Sequence, residues 1–237
     1  MKWAYGITTV PSRATTTLPR TLASLKESGF GSPHLFIDEL VDRALPTNTV
    51  DWRKFNLPFT LHIPQVHEQP NNLGNWYLAA WELYLRNPSA DYYALFEDDI
   101  VLCRNVQSYL NALPLPQAVY WNLYLAPNNA SLDHAETKGF APSRQKGKGA
   151  LALVFGRKQL TQLFKQDYYV DYPASAMRKK SLDGTILNAL RTAGIREHTH
   201  YPSLVLHTGD VSSLKHGKFG TASTFLGESY DAMELLK

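Results

Sequence analysis

Short apolar runs separated by prolines, glycines and polar clusters dominate the first half of the chain. Trp3–Thr9 reads as a buried strand that stops at Pro11. Thr15 or Thr16 is placed to cap a helix carrying Pro19 in its first turn. Leu18, Leu22 and Leu25 fall on one face, and Gly29 ends it. Two further strands are expected over His34–Asp38 and over 59–63, the latter bounded by Pro58 and Pro64. The polar stretch 68–74 then leads into a helix over 75–86, with Trp76, Ala79, Ala80 and Leu83 at helical spacing. A fourth strand, 92–96, runs directly into Glu97-Asp98-Asp99. After it the pattern predicts a helix over 105–113, a strand over 118–125, a strand over 150–155 and a helix over 158–165. Ser181 caps a helix over 182–192 that Gly194 ends, and a last strand covers 201–207.

Strand and helix thus alternate through the first half, as in a parallel sheet covered by helices. The expected fold class is α/β, a mixed, mostly parallel Rossmann-like sheet flanked by helices. The texture changes near Ala126: 126–148 is rich in Asn, Ser, Gly and Lys and reads as a long loop, and the tail is similarly irregular. We divide one domain, 1–237, into a nucleotide-binding half (1–125), an acceptor-binding half (126–213) and a C-terminal tail (214–237). Trp76, Trp81 and Trp121 are expected in the core. Asn71, Asn72 and Asn75 could meet a ligand, but loop and capping roles account for them equally.

Composition narrows the chemistry. The 237 residues include 44% hydrophobic and 19% charged residues, enough for a sizeable core and unlike a disordered chain. One cysteine, Cys103, excludes an internal disulfide and a cysteine-based zinc site, and suits a reducing compartment. No run approaches the roughly 18–20 apolar residues of a membrane span, and the first residues lack a signal-peptide pattern. The expectation is a cytoplasmic protein, bacterial or viral in a host cytoplasm, with no membrane span. A net charge of +3 permits an anionic ligand without requiring one. A nucleotidyltransferase or phosphatase could also use clustered carboxylates and metal, but it lacks support because there is no Gly-rich phosphate loop of the G-x-x-x-x-G-K kind.

The sharpest chemical feature is Glu97-Asp98-Asp99. Three adjacent carboxylates repel one another, and they lie at the carboxyl end of an apolar strand, where open α/β sheets bind ligands. A hard divalent cation such as Mg²⁺ or Mn²⁺ would relieve the repulsion and bridge to a diphosphate. An exposed acidic turn is the alternative.

This segment resembles the Asp-X-Asp-type motif of nucleotide-sugar glycosyltransferases with the GT-A fold, in the Glu-Asp-Asp form of some N-acetylglucosaminyltransferases. Further segments resemble that family in order and spacing: Ile7–Arg13 the first strand and the loop lining the nucleotide base, Phe36-Ile37-Asp38 the second strand, Leu182-Asp183-Gly184 the start of the helix carrying the catalytic base, and Pro202–His207 the late strand whose histidine reaches the metal. The resemblance implies a metal-dependent enzyme that moves a sugar from a nucleotide donor, a UDP-sugar by family habit, to an acceptor hydroxyl. Asp99 and His207 would hold Mn²⁺ or Mg²⁺, His207 through a neutral ring. Thr8, Thr9, Val10, Arg13, Asp38, Glu97, Asp98 and Ser212 would bind the donor, and Asp183 would be the general base of an inverting transfer. Helix capping is the competing account of Asp183, and Asp171 is a weaker rival base. Basic clusters at Arg144, Lys146 and Lys148, at Arg178, Lys179 and Lys180, and at Lys215 and Lys218 could close over the diphosphate or follow a phosphate backbone. The acceptor is expected to be a glycan or a hydroxymethylated pyrimidine in phage DNA. A non-catalytic nucleotide-sugar or carbohydrate-binding module would keep the same fold.

Overall fold

In a computed structural model the described residues are 1–39, 50–62, 72–131, 138–166, 181–209 and 222–237. Among the described residues ten strands form two sheets. They are β1 (Trp3–Thr9), β2 (His34–Asp38), β3 (Phe59–His62), β4 (Tyr92–Glu97), β5 (Ile100–Leu102), β6 (Val119–Asn122), β7 (Gly139–Pro142), β8 (Ala152–Gly156), β9 (Arg196–Tyr201) and β10 (Val205–His207). The helices are α1 (Leu18–Glu27), α2 (Asn72–Arg86), α3 (Val106–Asn111), α4 (Arg157–Phe164) and α5 (Leu182–Thr192). The main sheet has eight strands in the order β3-β2-β1-β4-β8-β6-β9-β7. The β3-β2-β1-β4 half is parallel, β8 runs antiparallel to both β4 and β6, β9 pairs parallel with β6, and β7 closes the edge antiparallel. The mixed, mostly parallel α/β sheet expected from the strand–helix alternation is therefore the fold.

The strands are apolar on both sides because helices cover both faces of the sheet. Leu35, Ile37, Ala94 and Phe96 point into one core with Leu18 and Leu25 of α1 and Val106 and Leu110 of α3. Phe36, Tyr93 and Leu95, the residues between them, point into the other with Trp76, Ala80 and Leu83 of α2, Leu160 and Leu163 of α4, and Ile186 and Leu190 of α5. This is the period-two alternation of a pleated strand. Gly6 lets β1 and β2 approach: a Cβ there would lie 2.6 Å from the Phe36 ring and 2.7 Å from the His34 carbonyl oxygen.

Several boundaries differ from those expected. Neither Thr15 nor Thr16 caps α1; Thr17 stands at the N-cap without a side-chain bond, and Thr16 bonds the Ser12 carbonyl instead. The strand expected over 201–207 shortens to β10, because Tyr201 is already the last residue of β9 and Pro202, which has no N–H to give a ladder, ends that strand. The stretch 126–148 contains β7, so it is not all loop. The tail residues 222–237 pack Ala222 and Ala232 into the first core and end in a 3-10 helix, Ala232–Leu236. Trp76 and Trp121 are buried, but Trp81 is 38% exposed, stacked edge-on against Phe164 at 4.7 Å. Among the described residues no helix is long and apolar enough to cross a membrane.

Candidate functional site

The acidic triplet sits at the carboxyl end of β4. Two hydroxyls on the buried face of α1 hold it there. Thr21 Oγ1 lies 2.9 Å from the Asp98 carbonyl oxygen and 2.8 Å from that of Ile100, and accepts from the Ile100 N–H. Ser24 Oγ accepts from the Leu102 N–H at 2.7 Å. These bonds satisfy backbone groups where the chain leaves one sheet and starts the next. β5 then pairs antiparallel with β10, setting His207 opposite Ile100 and beside Asp99. The Thr208 N–H and hydroxyl both donate to the Asp99 carbonyl oxygen, at 2.7 and 2.9 Å.

The three acids face different ways. Asp98 turns inward, its Oδ2 accepting from Thr9 Oγ1 at 2.6 Å. Burial and then the neighbouring Asp99 push its carboxyl up to about 7, against the pull of Thr9, Arg13 and the Val10 N–H. Glu97 is half-buried. Desolvation, followed by Asp99, Asp183 and Asp98, raises its carboxyl well above the ordinary range. Asp99 carries the open valence. Its Oδ2 meets Arg13 Nη2 at 3.3 Å and His207 Nε2 at 3.2 Å, while its buried Oδ1 has no hydrogen-bond partner among the described residues. Gly209 makes room, because a Cβ there would lie 2.5 Å from Asp99 Oδ2 and 3.2 Å from His207 Nε2.

This pair suits a hard divalent cation as a two-ligand site: a carboxylate oxygen without a donor, an imidazole beside it, and space kept by glycine. Among the described residues no group of three His, Cys, Asp or Glu side chains could hold a metal, so further oxygens would come from a bound diphosphate and water. Arg13 supplies a positive charge on the same carboxylate.

Asp183 is brought to the same edge by β8. The Glu97 N–H donates to the Leu151 carbonyl at 2.9 Å, and two residues earlier the Gly149 N–H donates to Asp183 Oδ2 at 2.6 Å. The Ala150 N–H and the residue's own N–H also stabilise this carboxylate, yet desolvation outweighs them and its affinity for a proton is raised. Ser181 caps α5 as expected, accepting from the Gly184 N–H at 3.3 Å, and Asp183 occupies its first turn.

Thr8, Thr9, Val10 and Arg13 therefore line the edge with the triplet. Asp38 ends β2, buried, in register with His62 of β3. Ser212, the rival base Asp171, Asn71 and the basic groups at 178–180, 215 and 218 lie outside the described residues. Asn75 proves internal: its Nδ2 donates to the Phe36 carbonyl and its Oδ1 accepts from His62 Nδ1 at 2.6 Å. Arg144, Lys146 and Lys148 are exposed.

Glu197 escaped the sequence reading. It is buried in β9 and accepts from Asn122 Nδ2 (3.1 Å), Asn129 Nδ2 (2.7 Å), Ser143 Oγ (2.6 Å) and Tyr120 OH (3.4 Å). The one signal was the alternation Glu197-His198-Thr199, a strand with a charged residue on its inner face.

No protein-family model matches the sequence, and no curated protein matches it. Among solved structures the chain is similar to a glycosyltransferase involved in glycosylating the major capsid of PBCV-1, at 10% identity and a TM-score of 0.49, over 89% of this chain and 96% of that one. It is also similar to a nucleoside-diphosphate-sugar pyrophosphorylase from Vibrio cholerae, at 12% identity and a TM-score of 0.44, over 87% and 95% of the two chains. A third is a mannose-1-phosphate geranyltransferase from Thermus thermophilus, at 10% identity and a TM-score of 0.49, over 84% of this chain and 74% of that one.

Proposed function

We propose that this chain is a metal-dependent glycosyltransferase that moves a sugar from a nucleotide donor, a UDP-sugar, to an acceptor hydroxyl with inversion. The observation that carries this reading is Asp99: a buried carboxylate oxygen without a donor among the described residues, next to His207 Nε2, at the carboxyl edge of a parallel strand. Asp99 and His207 would hold Mn²⁺ or Mg²⁺, which supplies charge stabilisation for the departing diphosphate. Arg13 adds to it. Thr8, Thr9, Val10, Asp38 and Glu97 would line the nucleoside side, with Asp98 supporting Thr9 from beneath. Asp183 would accept the proton of the acceptor hydroxyl as its oxygen attacks the anomeric carbon. Its raised proton affinity suits a base working near neutral pH.

The acceptor is a glycan or a hydroxymethylated pyrimidine in DNA. The exposed Arg144, Lys146 and Lys148 on the segment that bonds Asp183 favour an acceptor bearing phosphates. DNA binding that tightens steeply as salt is lowered would support the second acceptor, and unmeasurable affinity at low salt would remove it.

A non-catalytic nucleotide-sugar-binding module is the second reading. The bonds that Asp183 accepts from the 149–150 backbone favour it, because they also suit a purely structural acid. Hydrolysis of a panel of nucleotide sugars with Mn²⁺ separates the two, since slow hydrolysis requires no acceptor. The enzyme reading expects turnover in the parent and near-complete loss in Asp183→Asn with donor binding retained. Equal turnover in the two proteins would remove Asp183 from the mechanism. Calorimetry should show Mn²⁺ and UDP enhancing each other's binding, and Asp99→Ala should abolish the enhancement. Equal UDP affinity with and without metal in the parent would refute the metal site.

A further inference from the structure

Residues 143–149 are irregular yet tightly specified. Gln145, Gly147 and Gly149 all take left-handed backbone conformations, with φ of 52°, 58° and 79°. At Gly147 a Cβ would lie 2.8 Å from the Gly184 Cα, so the segment rests directly on the first turn of α5 beside Asp183. Left-handed conformations cost energy outside glycine and persist where surrounding bonds impose them. Those bonds converge on one residue. The Glu197 carboxylate takes four side-chain donors, two on each oxygen. Its backbone carbonyl accepts from Ser143 N–H (3.1 Å) and Gln145 Nε2 (2.7 Å), and its N–H donates to Gln145 Oε1 (3.2 Å). Two of its partners extend the hold: Asn129 Oδ1 accepts from the Lys146 N–H and Asn122 Nδ2 donates to the Gly149 carbonyl, at 3.3 and 3.1 Å. Only a carboxylate offers acceptor sites for four donors with no donor of its own.

We propose that Glu197 is a positioning residue: through residues 143–149 it holds the backbone N–H groups of Gly149 and Ala150 on the Asp183 carboxylate, keeping that group ionised and fixed to receive a proton. The inference rests on the reading of Asp183 as the base. The charged groups acting on Asp183 are Lys148 from the same segment, Glu97 from β4 and Glu197 itself. Loosening the segment withdraws the N–H donors and Lys148 together, and both losses favour the protonated carboxyl.

The test uses the full chain with ¹³C-labelled carboxyls, with Asp183→Asn to assign the Asp183 resonance. Ser143→Ala, which keeps the Glu197 charge, should move the Asp183 titration midpoint upward; Glu197→Gln, whose amide would turn N–H groups toward donors, also removes a repelling charge and should move it up by less. Ser143→Thr, which keeps the hydroxyl, should restore it. On the acid limb of Mn²⁺-dependent UDP-glucose hydrolysis, a one-unit rise lowers the rate about tenfold. Folded variants with a lower melting temperature and an unmoved midpoint would overturn the inference, and Ser143→Ala decides if Glu197→Gln does not fold. If Asp183→Asn hydrolyses UDP-glucose at the parental rate, the base reading itself fails. If Asp183→Asn is inactive and the midpoints stay put, only the positioning role fails.

Discussion

Removing the charge of Asp98 should abolish a loss of stability that the parent suffers as pH rises through neutrality. In the metal-free protein burial and Asp99 push this carboxyl up to about 7, from 3.8 in the unfolded chain. A proton therefore binds the folded state more tightly. The resulting stabilisation is complete below pH 3.8 and is lost as pH rises through 7. Integrated over the two titrations, folding should gain about 2.6 kcal/mol on going from pH 8 to pH 5, and about 4 kcal/mol in all. For a chain of this size the smaller figure corresponds to roughly 5–10 °C in melting temperature. Glu97 is shifted the same way, so the parent's slope exceeds the Asp98 contribution. The comparison with Asp98→Asn isolates it, because the amide cannot titrate but its oxygen can still accept from Thr9. The assay is urea unfolding in EDTA at pH 5 and pH 8. Asp98→Asn should be more stable than the parent at pH 8, and this advantage should shrink by about 2.6 kcal/mol at pH 5. An unchanged difference between the proteins at the two pH values would refute the reasoning.

Gly209→Ala should leave the fold intact by circular dichroism and weaken Mn²⁺-dependent UDP binding in calorimetry, because its methyl would occupy the space beside Asp99 Oδ2 and His207 Nε2. Trp121→Ala should cost about 3–5 kcal/mol in urea unfolding, since its ring is buried and stacked 4.5 Å from Phe140, whereas Trp81→Ala, with its ring partly exposed, should cost far less. Cys103 is buried with its thiol pushed up to about 12 by desolvation, so a thiol reagent should label it only under denaturing conditions.

Much of the framework is legible in the chain alone. The two-sided apolar strands, the helix carrying Trp76 and Leu83, the Ser181 cap and the place of Glu97-Asp98-Asp99 after a buried strand follow from periodicity and capping chemistry, which are local. β9 was missed because its interior is polar: Glu197, Thr199 and His200 are buried among hydrogen-bond partners rather than apolar side chains. β7 was missed because Gly139 and Pro142 at its ends are turn residues, tolerated here on an edge strand.

The sequence by itself determined that three carboxylates end a strand and that a threonine pair, an aspartate at a helix start and a late histidine are available to join them. It did not determine how the three acids divide. Tertiary contacts decided that Asp98 turns down onto Thr9, that Asp99 faces Arg13 and His207 with one oxygen left open, and that Glu97 connects through β8 to Asp183. The physical reason is that adjacent acidic residues share similar propensities, while their hydrogen-bond partners come from segments about 50 to 110 positions away along the chain. Glu197 shows the same limit. Its four donors gather only when β6, β9, Asn129 and Ser143 come together.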